Sequence, residues 1–228
     1  MFTGFPPKSL KLLQQIKRNN TKEWFEAHKE EYRELILEPS RAFVVETGEH
    51  LQALVPTINA EPKINGSLFR IYRDTRFSKN KTPIKSRIGI IFWQGHGRRM
   101  SSSSFYMQFD PEMLMFAVGI RKFKKETLDA YRDYIKAEKN RDTLHSILEE
   151  AKAKGYSLPQ PRYKRYPRGF DATIPHAYLA LFDCMYAYKT IVPDKSFFTA
   201  QLPLTAYDVY EELFDLQQWV YEMTLSTE

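Results

Sequence analysis

Apolar residues recur every three to four positions in the first quarter of the chain, which predicts three helices. The first helix lies near residues 8–18. Thr21 can cap the second helix, which Pro39 is expected to stop. Ser40 can cap the third helix, which is expected to end at Pro56.

From residue 68 the pattern changes to an alternation of apolar and polar residues, which predicts strands. Four strands are expected, at 68–73, 86–93, 104–109 and 113–119. Turn-forming residues at 95–99 and 110–112 connect the last three strands, so the spacing favours an antiparallel meander. One face of the strands is apolar, and the other carries basic, aromatic and amide side chains: Arg70, Tyr72, Arg87, Tyr106 and Gln108.

Helical spacing returns after the predicted sheet, and Gly155 is expected to end a helix there. Residues 155–169 are rich in proline and aromatic residues, which is typical of a structured loop. Residues 175–188 fit either one helix or a helix followed by a strand, and Pro203 opens a final helix.

These elements predict one α+β domain over residues 1–228, in which helices precede and follow an antiparallel β-meander at about 67–120. Hydrophobic residues make up 43% of the chain, which is too apolar for a disordered protein. No apolar run approaches the roughly 18 residues of a membrane span, and the first residues lack the order of a signal peptide. We therefore expect a cytoplasmic protein that does not associate with membranes; its oligomeric state stays open.

Cofactor and metal chemistry finds no support in the sequence. It contains no Walker loop, Rossmann glycine pattern or nucleophile elbow, so we expect no cofactor. The five histidines are scattered without ligand spacing, so we expect no metal site. The single cysteine, Cys184, lies among apolar residues and is expected to be an inert core thiol.

The net charge of +6 is unevenly distributed along the chain. Residues 70–87 carry seven basic side chains and one acid, whereas residues 196–228 contain six acids and no Lys or Arg. Residues 162–168 form a second basic patch with four cations, which is more simply interpreted as a solvated face. We expect the stretch 70–87 to be a specific site.

Within this stretch a motif stands out: Arg70-x-x-Arg73-Asp74-x-Arg76-Phe77-x-x-Asn80-Lys81. It resembles the signature of an uncharacterised, mainly bacterial domain-of-unknown-function family of about 230 residues. The resemblance extends upstream to 19–32 and, more weakly, to 169–171 and the last helix, so it covers nearly the whole chain. The family's signature continues to a tyrosine, where this chain has Ile84, so no role of a phenol is carried over. The resemblance implies no reaction.

Three arginines around one carboxylate predict a cationic pocket, because Asp74 can orient one guanidinium while the others bind an anion. The expected ligand-binding residues are Arg70, Tyr72, Arg73, Arg76, Lys79, Lys81 and Lys85. At least three cations should converge on one concavity, with Asp74 bonded to an arginine. The alternative is a surface ion-pair network, for example one with the acidic C-terminal helix.

Two further residues join the site if the second helix packs beside it. Lys29 would then bind the ligand, and His28 would be the only side chain there whose unperturbed pKa lies near neutrality. Asp74 and His28 are the candidate acid–base groups. A half-buried, hydrogen-bonded histidine is the simpler interpretation of His28.

Three functions remain open. The first is binding of a phosphorylated or carboxylated small molecule, with or without a reaction. The second is a nucleic-acid-binding module that uses Tyr72, Tyr106 and the patch at 162–168, where Tyr163 and Tyr166 alternate with cations. The third is a protein-interaction module with a basic face. No sequence feature separates an enzyme from a binding protein here.

Overall fold

The computed structural model describes residues 1–226, and its first section is helical, as predicted. The helices are α1 (Pro7–Arg18), α2 (Lys22–Ala27), α3 (Lys29–Tyr32) and α4 (Glu38–Leu51), and a π-helical turn (Arg33–Leu37) joins the last two. The hydroxyl of Thr21 accepts a hydrogen bond from the backbone N–H of Trp24 (3.2 Å), so the predicted cap is confirmed.

The predicted boundary between the second and third helices is wrong. Pro39 does not end a helix. It lies in the first turn of α4, where a residue without a backbone N–H is tolerated. Ser40 therefore lies inside a helix and caps nothing, and its hydroxyl is buried without a hydrogen-bond partner in the described residues. The wider π-helical turn lets the helical path continue up to the proline.

The sheet consists of β1 (Ile58–Asn59), β2 (Ile88–Gln94), β3 (Ser104–Phe109), β4 (Leu114–Ile120) and β5 (Met185–Ile191), in this spatial order. The meander of β2, β3 and β4 is confirmed, and β3 begins and ends where the alternation predicts. The turn after β3 forms around Asp110, whose carboxylate accepts the backbone N–H groups of Glu112 and Met113 (2.9 and 3.0 Å).

The strand expected at 68–73 is wrong. Only isolated bridges form there, Leu68 with Ile64 and Ile90 and Tyr72 with Ile84. The short β1 pairs with β2 in the sheet instead. The predicted basic and aromatic face is only partly open. Arg70 and Arg87 are exposed, whereas Tyr72 and Tyr106 are half-buried and Gln108 is 8% exposed. An alternation of apolar and polar residues identifies an extended segment, but it does not determine which other segment pairs with it.

The remaining elements are α5 (Lys125–Tyr134), α6 (Glu138–Ala153), α7 (Leu202–Glu212), α8 (Phe214–Leu225) and 3-10 turns at Ala177–Leu181 and Ser196–Phe198. Gly155 follows α6 with φ +85°, a conformation that suits a glycine helix stop. The ambiguous stretch 175–188 forms a short 3-10 turn and then β5. The predicted final helix is divided into α7 and α8.

The α+β class is thus confirmed, while the chain divides into two compact units. The first contains residues 1–92, 106–116 and 190–209; the second contains 93–105, 117–189 and the residues from 210 onward. In the first unit, Phe5 packs against Phe109 and Phe197, with ring centroids 4.6 and 4.8 Å away. In the second, the buried Tyr131 packs on Phe123 (5.0 Å). One cooperative domain over the whole chain stays a prediction.

Within residues 1–226, no helix combines the length and apolar character that a membrane crossing requires.

Candidate functional site

The stretch 70–87, which we call the basic loop, has a short antiparallel base in the first unit. Residues 71–73 pair with 83–85 through two backbone hydrogen bonds of 2.8 and 2.9 Å on either side of the Tyr72–Ile84 bridge. Asn20 holds this base from outside, because its amide nitrogen donates to the carbonyl of Ile84 (2.9 Å) and its amide oxygen accepts the N–H of Ile84 (3.0 Å). The asparagine side chain thus bonds both backbone groups of one residue, as a neighbouring strand would.

An ion pair fixes the start of the loop beyond this base. The guanidinium of Arg76 donates to both carboxylate oxygens of Asp74 (3.0 and 2.7 Å), and the backbone N–H of Arg76 donates to the same group (3.2 Å). These bonds hold the pKa of Asp74 well below its usual range, and the nearby charge of Arg70 contributes. Asp74 is therefore ionised at neutral pH. The expected bond between Asp74 and an arginine is confirmed.

Other side chains of the motif bond within the loop. Arg73 donates to the hydroxyl of Thr82 (3.2 Å), and this hydroxyl donates to the side-chain oxygen of Asn80 (2.7 Å). The ammonium of Lys81 donates to the carbonyl of Thr75 (2.9 Å). These contacts mean that the motif specifies the conformation of the loop, whatever else it does.

The helical section reaches the basic loop through Glu26, which the sequence patterns did not single out. The hydroxyl of Tyr72 and the ammonium of Lys29 (3.1 Å) both donate to the Glu26 carboxylate, and the Phe25 ring lies edge-on to Tyr72. The bond to Glu26, with a smaller effect of burial, raises the pKa of Tyr72 to about 12. Lys29 thus joins the loop indirectly. Lys29 lies three residues after Glu26, and this spacing was the one signal in the sequence that could have indicated their ion pair.

His28 behaves as the simpler interpretation predicts. Its Nδ1–H donates to the carbonyl of Trp24 (2.8 Å), and its ring stacks on the indole at 3.8 Å. Both contacts run to Trp24 in α2, the helix that ends just before His28, and neither runs to the basic loop. A catalytic role for His28 stays a prediction without a geometric argument.

The remaining cations differ in how they are held. Lys85 donates its ammonium to the carbonyl of Arg70 (2.6 Å). Within residues 1–226, the side chains of Arg70, Lys79 and Arg87 are exposed and make no hydrogen bond or ion pair. Phe77 is 96% exposed beside the Arg76 guanidinium. Convergence of at least three cations on one concavity stays a prediction.

No three or more His, Cys, Asp or Glu side chains in the described part of the chain are grouped so as to hold a metal ion. In a comparison with protein families, the model described as conserved hypothetical protein (DUF2461) matches residues 8–219. No curated protein and no solved structure matches the chain.

Proposed function

The chain belongs to the family described as conserved hypothetical protein (DUF2461), and we propose that its basic loop binds the phosphate or carboxylate group of a small molecule. The observation that carries this proposal is the charge balance of the loop. Its single carboxylate, Asp74, is already bonded to Arg76. Within residues 1–226, five other cations of the loop make no ion pair: Arg70, Arg73, Lys79, Lys81 and Arg87.

The loop offers unused donors on positioned side chains. The ammonium of Lys81 donates to one carbonyl of the loop backbone, and an ammonium has three donors. Arg73 donates to Thr82 from one of its five N–H groups. Because gathering like charges costs free energy, an anion that accepts from these donors would stabilise the loop.

The proposal gives Asp74 an orienting role and no proton transfer. A carboxyl whose pKa is held low is a weak base and is not protonated at neutral pH, so it serves poorly in acid–base catalysis. It instead fixes Arg76 by a bidentate bond, which leaves the guanidinium in one orientation. Binding is therefore the function that we propose, without an assigned reaction.

A small molecule is favoured over nucleic acid at this loop because the tyrosines expected to stack on bases are engaged elsewhere. The hydroxyl of Tyr72 donates to Glu26, with its ring edge-on to Phe25, and Tyr106 is half-buried with its hydroxyl bonded to Gln108 (3.1 Å). The nucleic-acid hypothesis also used the basic patch at 162–168, and this patch belongs to the second unit.

The proposal is tested by thermal unfolding with inorganic phosphate, pyrophosphate and succinate. An anion present at about 100 times its Kd should raise the Tm of the wild type by about 5–10 °C. Arg70→Ala and Arg73→Ala should each abolish most of this shift while changing the unliganded stability by about 1 kcal/mol or less. Lys17→Ala is the control, because it removes one positive charge from the same unit at an ion pair with Glu112.

Asp74→Asn distinguishes an orienting role from a direct contact. It should lower the Tm of the unliganded protein by loosening Arg76, and the bound anion should restore part of this loss. The proposal fails if no anion shifts the wild type, or if Lys17→Ala reduces the shift as much as Arg73→Ala does.

A further inference from the structure

The second basic patch has a defined support in the second unit. The backbone N–H groups of Arg162 and Tyr163 both donate to the carbonyl of Leu181 (3.0 and 2.9 Å). This carbonyl lies at the end of the 3-10 turn that precedes β5. The patch is therefore attached to the scaffold at its first residues and is not a free linker.

A second run of cations attaches to the same place. Residues 121–125 contain Arg121, Lys122, Lys124 and Lys125, and the backbone N–H of Phe123 donates to the carbonyl of Asp183 (2.8 Å). Asp183 is two residues from Leu181, so the two basic segments flank one short piece of chain. They are about 40 residues apart in sequence, and no sequence pattern connected them.

Aromatic rings lie among these cations. Tyr163 and Tyr166 are 37% and 38% exposed. The guanidinium of Arg132, on α5, lies 4.8 Å from the centre of the Tyr163 ring, which links the helix after residues 121–125 to the patch. Tyr166 is parallel to Phe170, with an interplanar angle of 5° and centroids 6.2 Å apart. We call residues 121–125, Arg132 and 162–170 the basic-aromatic surface.

The cations of this surface are largely uncompensated. Lys125 pairs with Asp129 on α5 (2.7 Å). Within residues 1–226, no ion pair or hydrogen bond engages the side chains of the other cations in the two segments: Arg121, Lys122, Lys124, Arg162, Lys164, Arg165 and Arg168. In contrast, Lys152 in α6 and Lys154 just after it pair with glutamates one turn away.

We infer that the basic-aromatic surface binds single-stranded nucleic acid. Exposed unpaired cations can contact successive phosphates, and partly exposed tyrosines can stack on bases. A single strand is favoured over a duplex because the faces of duplex bases are already covered by their neighbours. Neither contact reads base edges, so the binding should depend little on sequence and strongly on salt.

This inference is independent of the small-anion proposal, since it uses other residues in another unit. The test measures binding of the full chain to labelled single-stranded 12-mers of deoxythymidine and uridine, to a 12-base-pair duplex, and to vesicles with and without phosphatidylserine. We expect tighter binding to the single strands than to the duplex. The logarithm of the affinity should fall by about 0.7 per phosphate contacted for each unit of log[salt].

Paired variants separate stacking from charge. Tyr166→Ser should weaken single-strand binding by about 5- to 150-fold, whereas Tyr166→Phe keeps the ring and should bind nearly as the wild type does. Arg165→Gln should lower the salt slope by about 0.7. Lys139→Gln removes the same charge from an exposed position on α6 and should leave the binding unchanged.

Circular dichroism and Tm of each variant establish that it folds. The inference is overturned if no oligonucleotide binds at low salt, or if Tyr166→Ser binds as tightly as Tyr166→Phe. Equal affinity for duplex and single strand, with no effect of either Tyr166 variant, would mean attraction by charge alone. Binding confined to phosphatidylserine vesicles would assign the surface to a membrane. Either outcome contradicts the proposal.

Discussion

The two basic regions of this chain use their cations in opposite ways. In the basic loop, the charged groups of Arg73, Arg76, Lys81 and Lys85 bond to the loop's own side chains and carbonyls. In the basic-aromatic surface, almost no cation bonds to the protein, and the ordered contacts are made by backbone and rings. A run of Lys and Arg can therefore build a local structure or stay available for a ligand, and net charge does not distinguish these cases.

This difference bears on the kind of ligand each region suits. Side chains that are already fixed lose little conformational freedom when they bind, which favours a small anion with one defined geometry. Unbonded cations on a surface keep their rotamers and can follow a flexible polymer. The shared composition thus supports two different proposals, and the following predictions test the scaffold of each region.

The largest effect is expected at Cys184, next to the residues that support the basic-aromatic surface. Cys184 is 6% exposed, and burial, with a smaller effect of Asp183, raises the pKa of its thiol to about 12. At pH 8 the native protein should react with a thiol reagent about a thousandfold more slowly than the unfolded chain, because only the thiolate attacks. The measurement is the reaction rate with and without urea. Rapid native reaction would mean that residues 181–184 open, and the surface would lose its support.

An intermediate effect is expected at the base of the basic loop. Asn20→Ala removes two hydrogen bonds and leaves the N–H and C=O of Ile84 without this partner, so the free energy of unfolding should fall by about 2 kcal/mol. Asn19→Ala is the matched control. It removes one exposed bond to the carbonyl of Gln15 and should cost less than about 0.5 kcal/mol.

Urea titrations of both variants check this prediction. Equal losses of unfolding free energy for Asn19→Ala and Asn20→Ala would mean that Asn20 does not hold the loop. The rate of the Cys184 reaction in folded Asn20→Ala should match the wild type, because the substitution acts on the first unit.

The sequence predicted the fold where local signals suffice. The meander, β3 and the turn at Asp110 follow from alternation and turn chemistry, both of which lie within a few residues. The stretch at 68–73 has the same alternation, but its partners are Gly89 and then residues 83–85, and this choice depends on tertiary packing. The helix boundary at Pro39 failed for a similar reason, since a proline fits the first turn of a helix as well as its end.

The candidate sites show the same difference between local contacts, which the sequence predicts, and long-range contacts, which it does not. The motif of the basic loop was recognisable because its residues lie close together in sequence, and the Asp74–Arg76 pair spans two positions. Glu26 and Asn20 contact the loop from 46 and 64 residues away, and residues 121–125 meet the support of 162–168 only in three dimensions. A single sequence without covariation carries no signal for such contacts.

The smallest effect is expected from Tyr72→Phe, which removes the bond to Glu26 and tests whether the helical section holds the basic loop. The pKa of Tyr72 is about 12 in the folded protein and about 10 when unfolded. The bond's contribution is therefore fully present below pH 10 and is lost as the pH rises through 12. The pKa of Glu26 is lowered, so the same contribution is lost in acid as this carboxylate protonates.

The difference in free energy of unfolding between wild type and Tyr72→Phe should thus be constant from about pH 5 to pH 10 and shrink at both ends. It should be small, because both groups are accessible to solvent. Tyr166→Phe is the control, since the Tyr166 hydroxyl makes no hydrogen bond in the described residues and should follow the wild type at every pH. Urea unfolding between pH 4 and 11 measures both differences. A Tyr72→Phe curve parallel to the wild type throughout would mean that Glu26 does not hold the loop, which would then depend on Asn20 and its own bonds.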